Sequence, residues 1–148
     1  MTRGSYHRSI EARVIVPGTA EGVALVSPEP LSFWGGYDPA TGEIVDRRHP
    51  LSGVRAAGRV LVLPFTRGSS TTSAILLESV RAGTAPAAIV SRGTGDAFLA
   101  LASIVADEMY ERPIPIFAVT PDAFGSLRTG QKLTLDASGE IQVRDEGP

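Results

Sequence analysis

The chain has no cysteine among its 148 residues. A disulfide framework is therefore excluded, and so is thiolate ligation of zinc or of an iron–sulfur cluster by this chain. Histidine is nearly as scarce. His7 and His49 are the only two, far apart and outside any ligand spacing, so no transition-metal site built wholly from this chain is expected. Lysine occurs once, at Lys132, and the remaining basic residues are arginines. This is unlike the Lys/Glu-rich composition of hyperthermophiles. Basic runs are absent and the formal net charge is −2, which argues against a nucleic-acid footprint. No apolar run reaches the roughly 18–20 residues of a membrane span. The first residues lack the apolar core of a signal peptide, so a cytoplasmic location is expected.

What is present is an ordinary globular balance, 43% apolar and 20% charged, enough for one domain with a real core. Residues 1–9 read as a flexible arm and 10–148 as a single domain. Glu11 to Val16 alternates and predicts a strand. Thr19 to Ser27 predicts a second, with Gly22 as a bulge or close-approach point. A long loop follows, from Pro28 to about Pro50, with a short strand expected inside it at 42–45. Loops of that length are usually functional or disordered, and the only Trp argues against disorder.

The middle of the chain alternates strand and helix. Strands are expected at 59–65, 86–91 and 114–119. Helices are expected at 70–82, closed by Gly83, and at 96–110. One helical turn at 121–127 and a hairpin over 131–136 and 140–144 complete the pattern. The alternation predicts a small parallel sheet with right-handed crossovers, and the outer strands predict an antiparallel, barrel-like layer. The fold expected is a layered β/β/α domain of the α/β class.

Most potential chemistry gathers in Thr66-Arg-Gly-Ser-Ser-Thr-Thr-Ser73, between an apolar strand and a helix. The plain reading is capping, since Ser and Thr are preferred N-caps worth about 1 kcal/mol. The functional reading is an anion site, because backbone N–H groups and the positive helix end favour a carboxylate or phosphate, with Arg67 adding charge. The segment is neither a P-loop nor a G-x-S-x-G elbow. Chemistry alone does not separate Ser69 from Ser70 as the working serine.

A second cluster is Leu31-Ser-Phe-Trp-Gly-Gly-Tyr-Asp-Pro-Ala-Thr-Gly42. Phe33 and Trp34 are adjacent, so in an extended segment one packs inward while the other reaches a partner. Gly35 and Gly36 let backbone approach closely, and Asp38-Pro39 and Thr41-Gly42 are turn signals. His49 reads as an exposed loop histidine, with nothing in sequence to orient it as a base. Asp107, Glu108 and Glu111 read as a solvated helix end.

The order of these pieces resembles a known family. Gly18-x-Ala-x-Gly22, Pro30-Leu-Ser-Phe-Trp-Gly-Gly36, Asp38-Pro-x-Thr-Gly42, Arg67-Gly-Ser-Ser70, Ala85-Pro-Ala-Ala-Ile-Val90 and Leu127-x-Thr-Gly130 together resemble the small subunit of aconitase X. The resemblance implies the swivelling, three-layer β/β/α domain of the aconitase superfamily. It implies a large partner subunit that carries an iron–sulfur centre on its own cysteines, and dehydration of a hydroxy acid by the pair. The family substrates are cis-3-hydroxy-L-proline, favoured here, and (R)-5-phosphomevalonate. The resemblance makes Ser69 the catalytic base and matches Ser73 to a later family serine. Gly68, Ser70 and Thr71 would line the anion site with Arg67 in support, where the family often has lysine. Phe33, Trp34, Gly35, Gly36, Asp38 and Thr41 would dock on the partner or close the site. Two other readings of the same residues are a stand-alone anion-binding module and a regulatory subunit.

Overall fold

The computed structural model describes residues 7–33, 35–64, 66–67, 70–93 and 97–145, with the backbone alone at 66–67, 70–72 and 97–98. The first strands are β1 (His7–Glu11), β2 (Arg13–Val16) and β3 (Ala20–Val26). Four short strands and one longer one follow: β4 (Leu31–Ser32), β5 (Tyr37–Asp38), β6 (Glu43–Ile44), β7 (Val60–Leu63) and β8 (Thr66–Arg67). The second half runs α1 (Ser70–Ala82), β9 (Ala88–Arg92), α2 (Ala97–Tyr110), β10 (Ile116–Val119), α3 (Pro121–Ser126), β11 (Lys132–Leu135) and β12 (Glu140–Arg144).

Strands β3, β7, β9 and β10 are parallel neighbours. All four residues of β7 are buried, as are all four of β10. Continuous apolar runs of this kind suit strands covered on both faces. One face, carrying Leu61, Leu63, Ile89 and Ile116, packs on Leu76 and Val80 of α1 and Leu99, Ala102 and Ala106 of α2. The other, carrying Val60, Val62, Val90, Phe117 and Val119, packs on Leu133, Leu135, Ile141 and Val143 of the terminal hairpin. The parallel strands are therefore the shared wall of two cores. The mixed α/β class and its antiparallel outer layer agree with the sequence reading.

Helix α1 ends where the sequence places its stop. Gly83 has φ +77°, its N–H reaches Val80 O at 3.1 Å, and Thr84 N–H reaches Ser79 O at 2.9 Å. That pair of bonds is a Schellman closure, which satisfies two terminal carbonyls. Ser103, buried in α2, both donates to Ile114 O and accepts from Ile114 N–H, tying the helix to the segment that enters β10. Gly22 is the close-approach point expected: a Cβ there would lie 3.0 Å from Gly58 O.

The N-terminal reading needs two corrections. The arm expected over residues 1–9 does not extend to 9, because β1 starts at His7 and pairs with β12 from His7↔Arg144 to Glu11↔Glu140. His7, Arg8 and Ser9 lack apolar alternation, and their order comes from ladder bonds, not from burial. The single strand expected from Glu11 to Val16 is two. Chain-adjacent β1 and β2 stand at opposite ends of the strand order β1-β12-β11-β3-β7-β9-β10-β2. Only Ala12 lies between them, with its N–H bonded to Gly139 O at 2.8 Å. The sheet must therefore curl until its two ends meet, which gives the barrel-like layer its shape.

Candidate functional site

Strand β8 and the start of α1 follow β7 and so lie at the carboxyl end of the parallel strands, the edge where α/β sheets bind ligands. Helix α1 follows β7 and β8 and begins at Ser70, and α2 begins at Ala97 after β9. Both helix N-termini therefore belong to this edge, and each carries partial positive charge. Arg67 is the second residue of β8, and Ser70 and Thr71 open α1; their side chains lie outside the described residues, as do Gly68 and Ser69 entirely. Ser73 is half-buried within the first turn of α1.

The aromatic loop is joined to this turn by backbone pairing. Strand β4 runs parallel to β8, with Leu31 opposite Thr66 and Ser32 opposite Arg67. Of the adjacent aromatic pair, Phe33 packs inward: it is fully buried, with its ring 5.1 Å from that of Tyr37. Burying such a side chain stabilises by about 1.5–3 kcal/mol. The ring of Phe33 is thus spent on this chain's own core and does not present itself to a partner. Trp34 lies outside the described residues.

Gly36 is buried with its backbone hard against β4. A Cβ there would sit 2.2 Å from Ser32 O. Gly35 is exposed, with φ +77° and open space around it. Asp38 Oδ1 accepts from Ala40 N–H at 2.9 Å, and its carbonyl accepts from Gly42 N–H at 2.7 Å. Thr41 Oγ1 accepts from Glu43 N–H, and Thr41 O accepts from Arg55 Nε at 2.8 Å. Asp38 and Thr41 therefore hold the turn that brings β5 against β6, a structural task that the turn chemistry of their sequence foretells. Tyr37 donates from its hydroxyl to Thr84 O at 2.7 Å. Burial pushes its phenol well above the ordinary tyrosine range, partly offset by Arg55.

His49 is not the exposed loop histidine expected. It is buried, with Nε2 3.0 Å from Ser27 Oγ and Nδ1 accepting from Leu51 N–H at 3.0 Å. Ser27, directly after β3, is also fully buried. The sequence carried no sign of this pair, because the two residues are 22 apart and in irregular backbone. Asp107, Glu108 and Glu111 are exposed, as read. Among the described residues, no group of three His, Asp or Glu side chains is placed to hold a metal ion, and no helix is long and apolar enough to cross a membrane.

An eight-stranded mixed sheet whose end strands are chain neighbours, with an α1–α2 layer whose helix N-termini share the carboxyl edge, defines a mixed α/β domain. The chain belongs to the aconitase X swivel domain family, whose model matches residues 9–143. It is 44% identical over 94% of its length to a cis-3-hydroxy-L-proline dehydratase of Pseudomonas aeruginosa, of whose length it spans 23%. It is 37% identical over 90% of its length to the phosphomevalonate dehydratase small subunit of Methanothermobacter thermautotrophicus, covering 98% of that chain. Among solved structures, Thermococcus kodakaraensis aconitase X in its holo-form superposes with a TM-score of 0.80 at 34% identity, over 92% of this chain and 98% of that one.

Proposed function

We propose that this chain is the swivel component of an aconitase X-type hydro-lyase and works with a larger aconitase X-type chain. The observation that carries this reading is the 44% identity, along nearly the whole chain, to part of a cis-3-hydroxy-L-proline dehydratase. That hydroxy acid is the favoured substrate. A specific observation keeps phosphomevalonate as the second: several relatives that this chain matches along almost their full length are phosphomevalonate dehydratase small subunits.

Dehydration removes a proton from one carbon and hydroxide from its neighbour, leaving a double bond. Ser69 is the proton acceptor in this scheme. A serine hydroxyl is a poor base in water, but its alkoxide is favoured beside a positive helix end and an arginine. The start of α1 supplies the helix end and β8 carries Arg67. Backbone N–H groups of Gly68, Ser70 and Thr71 line the anion site for a substrate carboxylate or phosphate, with Arg67 as supporting charge. Trp34, Gly35, Asp38 and Thr41 form the loop edge that meets the partner and closes the site, while Phe33 and Gly36 fix that loop from within. Closure excludes water and completes the catalytic set.

An iron–sulfur centre does not fit this chain's residues: it has no cysteine, and the described acidic and histidine side chains form no ligand group. In this reading the centre belongs to the partner. The test is reconstitution. The wild-type complex dehydrates the substrate, and Ser69→Ala assembles with the large chain but does not turn over. An active Ser69→Ala complex removes the base assignment, and assaying both hydroxy acids decides the substrate.

A further inference from the structure

Ser27 and His49 have the composition of a nucleophile–base pair, but the direction of their hydrogen bonds says otherwise. Ser27 Oγ donates to Glu29 O, so its proton is already committed. Leu51 N–H donates to His49 Nδ1, so that nitrogen is bare and the ring proton sits on Nε2. Nε2–H then donates to Ser27 Oγ at 3.0 Å, with Glu29 O at 3.4 Å beside it. A general base would turn a bare nitrogen towards the serine. Here the ring is a strut between two stretches of irregular chain, each fixed independently. Ser27 N–H is bonded to Val62 O of β7 at 2.8 Å. His49 is held in its turn by bonds from its own N–H to Asp46 O and from Ser52 N–H to its carbonyl, both 3.0 Å.

The strut stands next to the edge of the candidate site. Two residues beyond Glu29 the chain enters β4, whose partner strand is β8. Ser69 lies two residues past the end of β8. The segment on the His49 side reaches β4 as well: Val45 N–H bonds Gly36 O at 2.9 Å, and Gly36 lies against Ser32 O.

We infer that His49 is a positioning residue. It fixes the exit of β3 against the Asp46–Leu51 turn, holds β4 in place through that contact, and so sets the line on which β8 delivers the serine turn. The catalytic part of this inference rests on the reading of Ser69 as base; the positioning part does not.

The experiment uses the full chain in complex with its large partner. It follows His49→Leu, His49→Gln and Ser27→Ala by amide hydrogen exchange, kcat and KM. His49→Leu removes every ring hydrogen bond, to Ser27, Glu29 and Leu51, and His49→Gln keeps a donor for Ser27. Ser27→Ala removes the acceptor for the ring together with the hydroxyl's own bond to Glu29 O, and is small enough to fold in any case. Exchange at residues 31–32 and 66–67 is expected to quicken about tenfold in His49→Leu and Ser27→Ala, the size of one lost buried hydrogen bond. Amides of 76–80 inside α1 keep their wild-type rates. kcat falls with little change in KM, and His49→Gln recovers most of both effects. Wild-type exchange at 66–67 in both His49→Leu and Ser27→Ala overturns the inference, as does a loss of kcat without that exchange change. An active Ser69→Ala complex overturns the base assignment alone, because the exchange readout does not depend on it.

Discussion

Replacing Gly36 by alanine tests whether the loop edge governs the serine turn. The added Cβ would lie 2.2 Å from Ser32 O, and that atom belongs to the backbone of β4, not to the end of a flexible side chain. Ordinary carbon–oxygen contacts begin near 3.3 Å, so β4 or the Gly36 backbone must retreat by roughly 1 Å. Overpacking of that kind costs about 1–3 kcal/mol, which for a chain of this length lowers Tm by roughly 3–10 °C. The more telling consequence is positional. Strand β4 is paired with β8, and a displacement of about 1 Å passed to a reacting group costs on the order of a hundredfold in rate. Gly53→Ala, outside the loop edge, is the internal control. Its φ of +86° makes alanine unfavourable by about 1–2 kcal/mol, but nothing lies within 4 Å of the new Cβ, so no strand is pushed. The assay is thermal unfolding of each variant beside dehydration by each reconstituted complex. Both variants are expected to lose similar stability, and only Gly36→Ala to lose most of its kcat. Equal rates in the two complexes, or a Gly36→Ala rate within twofold of wild type, refute the reasoning.

Two further outcomes follow from individual groups. Tyr37→Phe removes the donor to buried Thr84 O and should cost about 1–3 kcal/mol in chemical denaturation. Tyr37 also carries a pH signature. Its phenol is held protonated in the folded state by burial, whereas the unfolded chain gives the proton up near the ordinary value of about 10. The folded state then binds more protons, so this contribution to stability is intact below about pH 10 and declines above it. Unfolding free energies measured from pH 8 to 11 should decline less steeply in Tyr37→Phe. Gly83→Ala puts a side chain at φ +77° in the α1 closure and should lower stability by about 1 kcal/mol without altering turnover, as read by thermal unfolding and the dehydration assay.

Elements whose signals are local were readable before any coordinates. Helix α1 declares its end through Gly83, β7 and β10 declare burial through unbroken apolar runs, and the terminal hairpin alternates on either side of Gly139. Elements whose cause lies far along the chain were not. A two-residue strand such as β4 has no period to detect, and its place depends on pairing with β8 some 35 residues on. His49 gave no hint of burial, because its buried partner, Ser27, lies 22 residues earlier in the chain. At the candidate site, the serine turn was legible as strand, small residues and helix, and the choice of Ser69 came from family resemblance. Phe33 was legible only as one of two adjacent aromatics. The fully buried ring shows that its apolar surface belongs to the chain itself.

The pairing of His7 with Arg144 links the first described residue to nearly the last. During synthesis β1 emerges before the other strands of this domain, and its ladder partner β12 is the domain's last. The ring of strands therefore stays open until almost the whole domain exists. Its last contact also joins residues from opposite ends of the described sequence, the kind of contact that forms slowly. The seam at Ala12 is thus a clock as well as a join. Strands β7, β9 and β10 with their two helices can assemble from contiguous sequence, and the barrel closes only when the carboxyl-terminal hairpin arrives to meet a strand that has waited since the start.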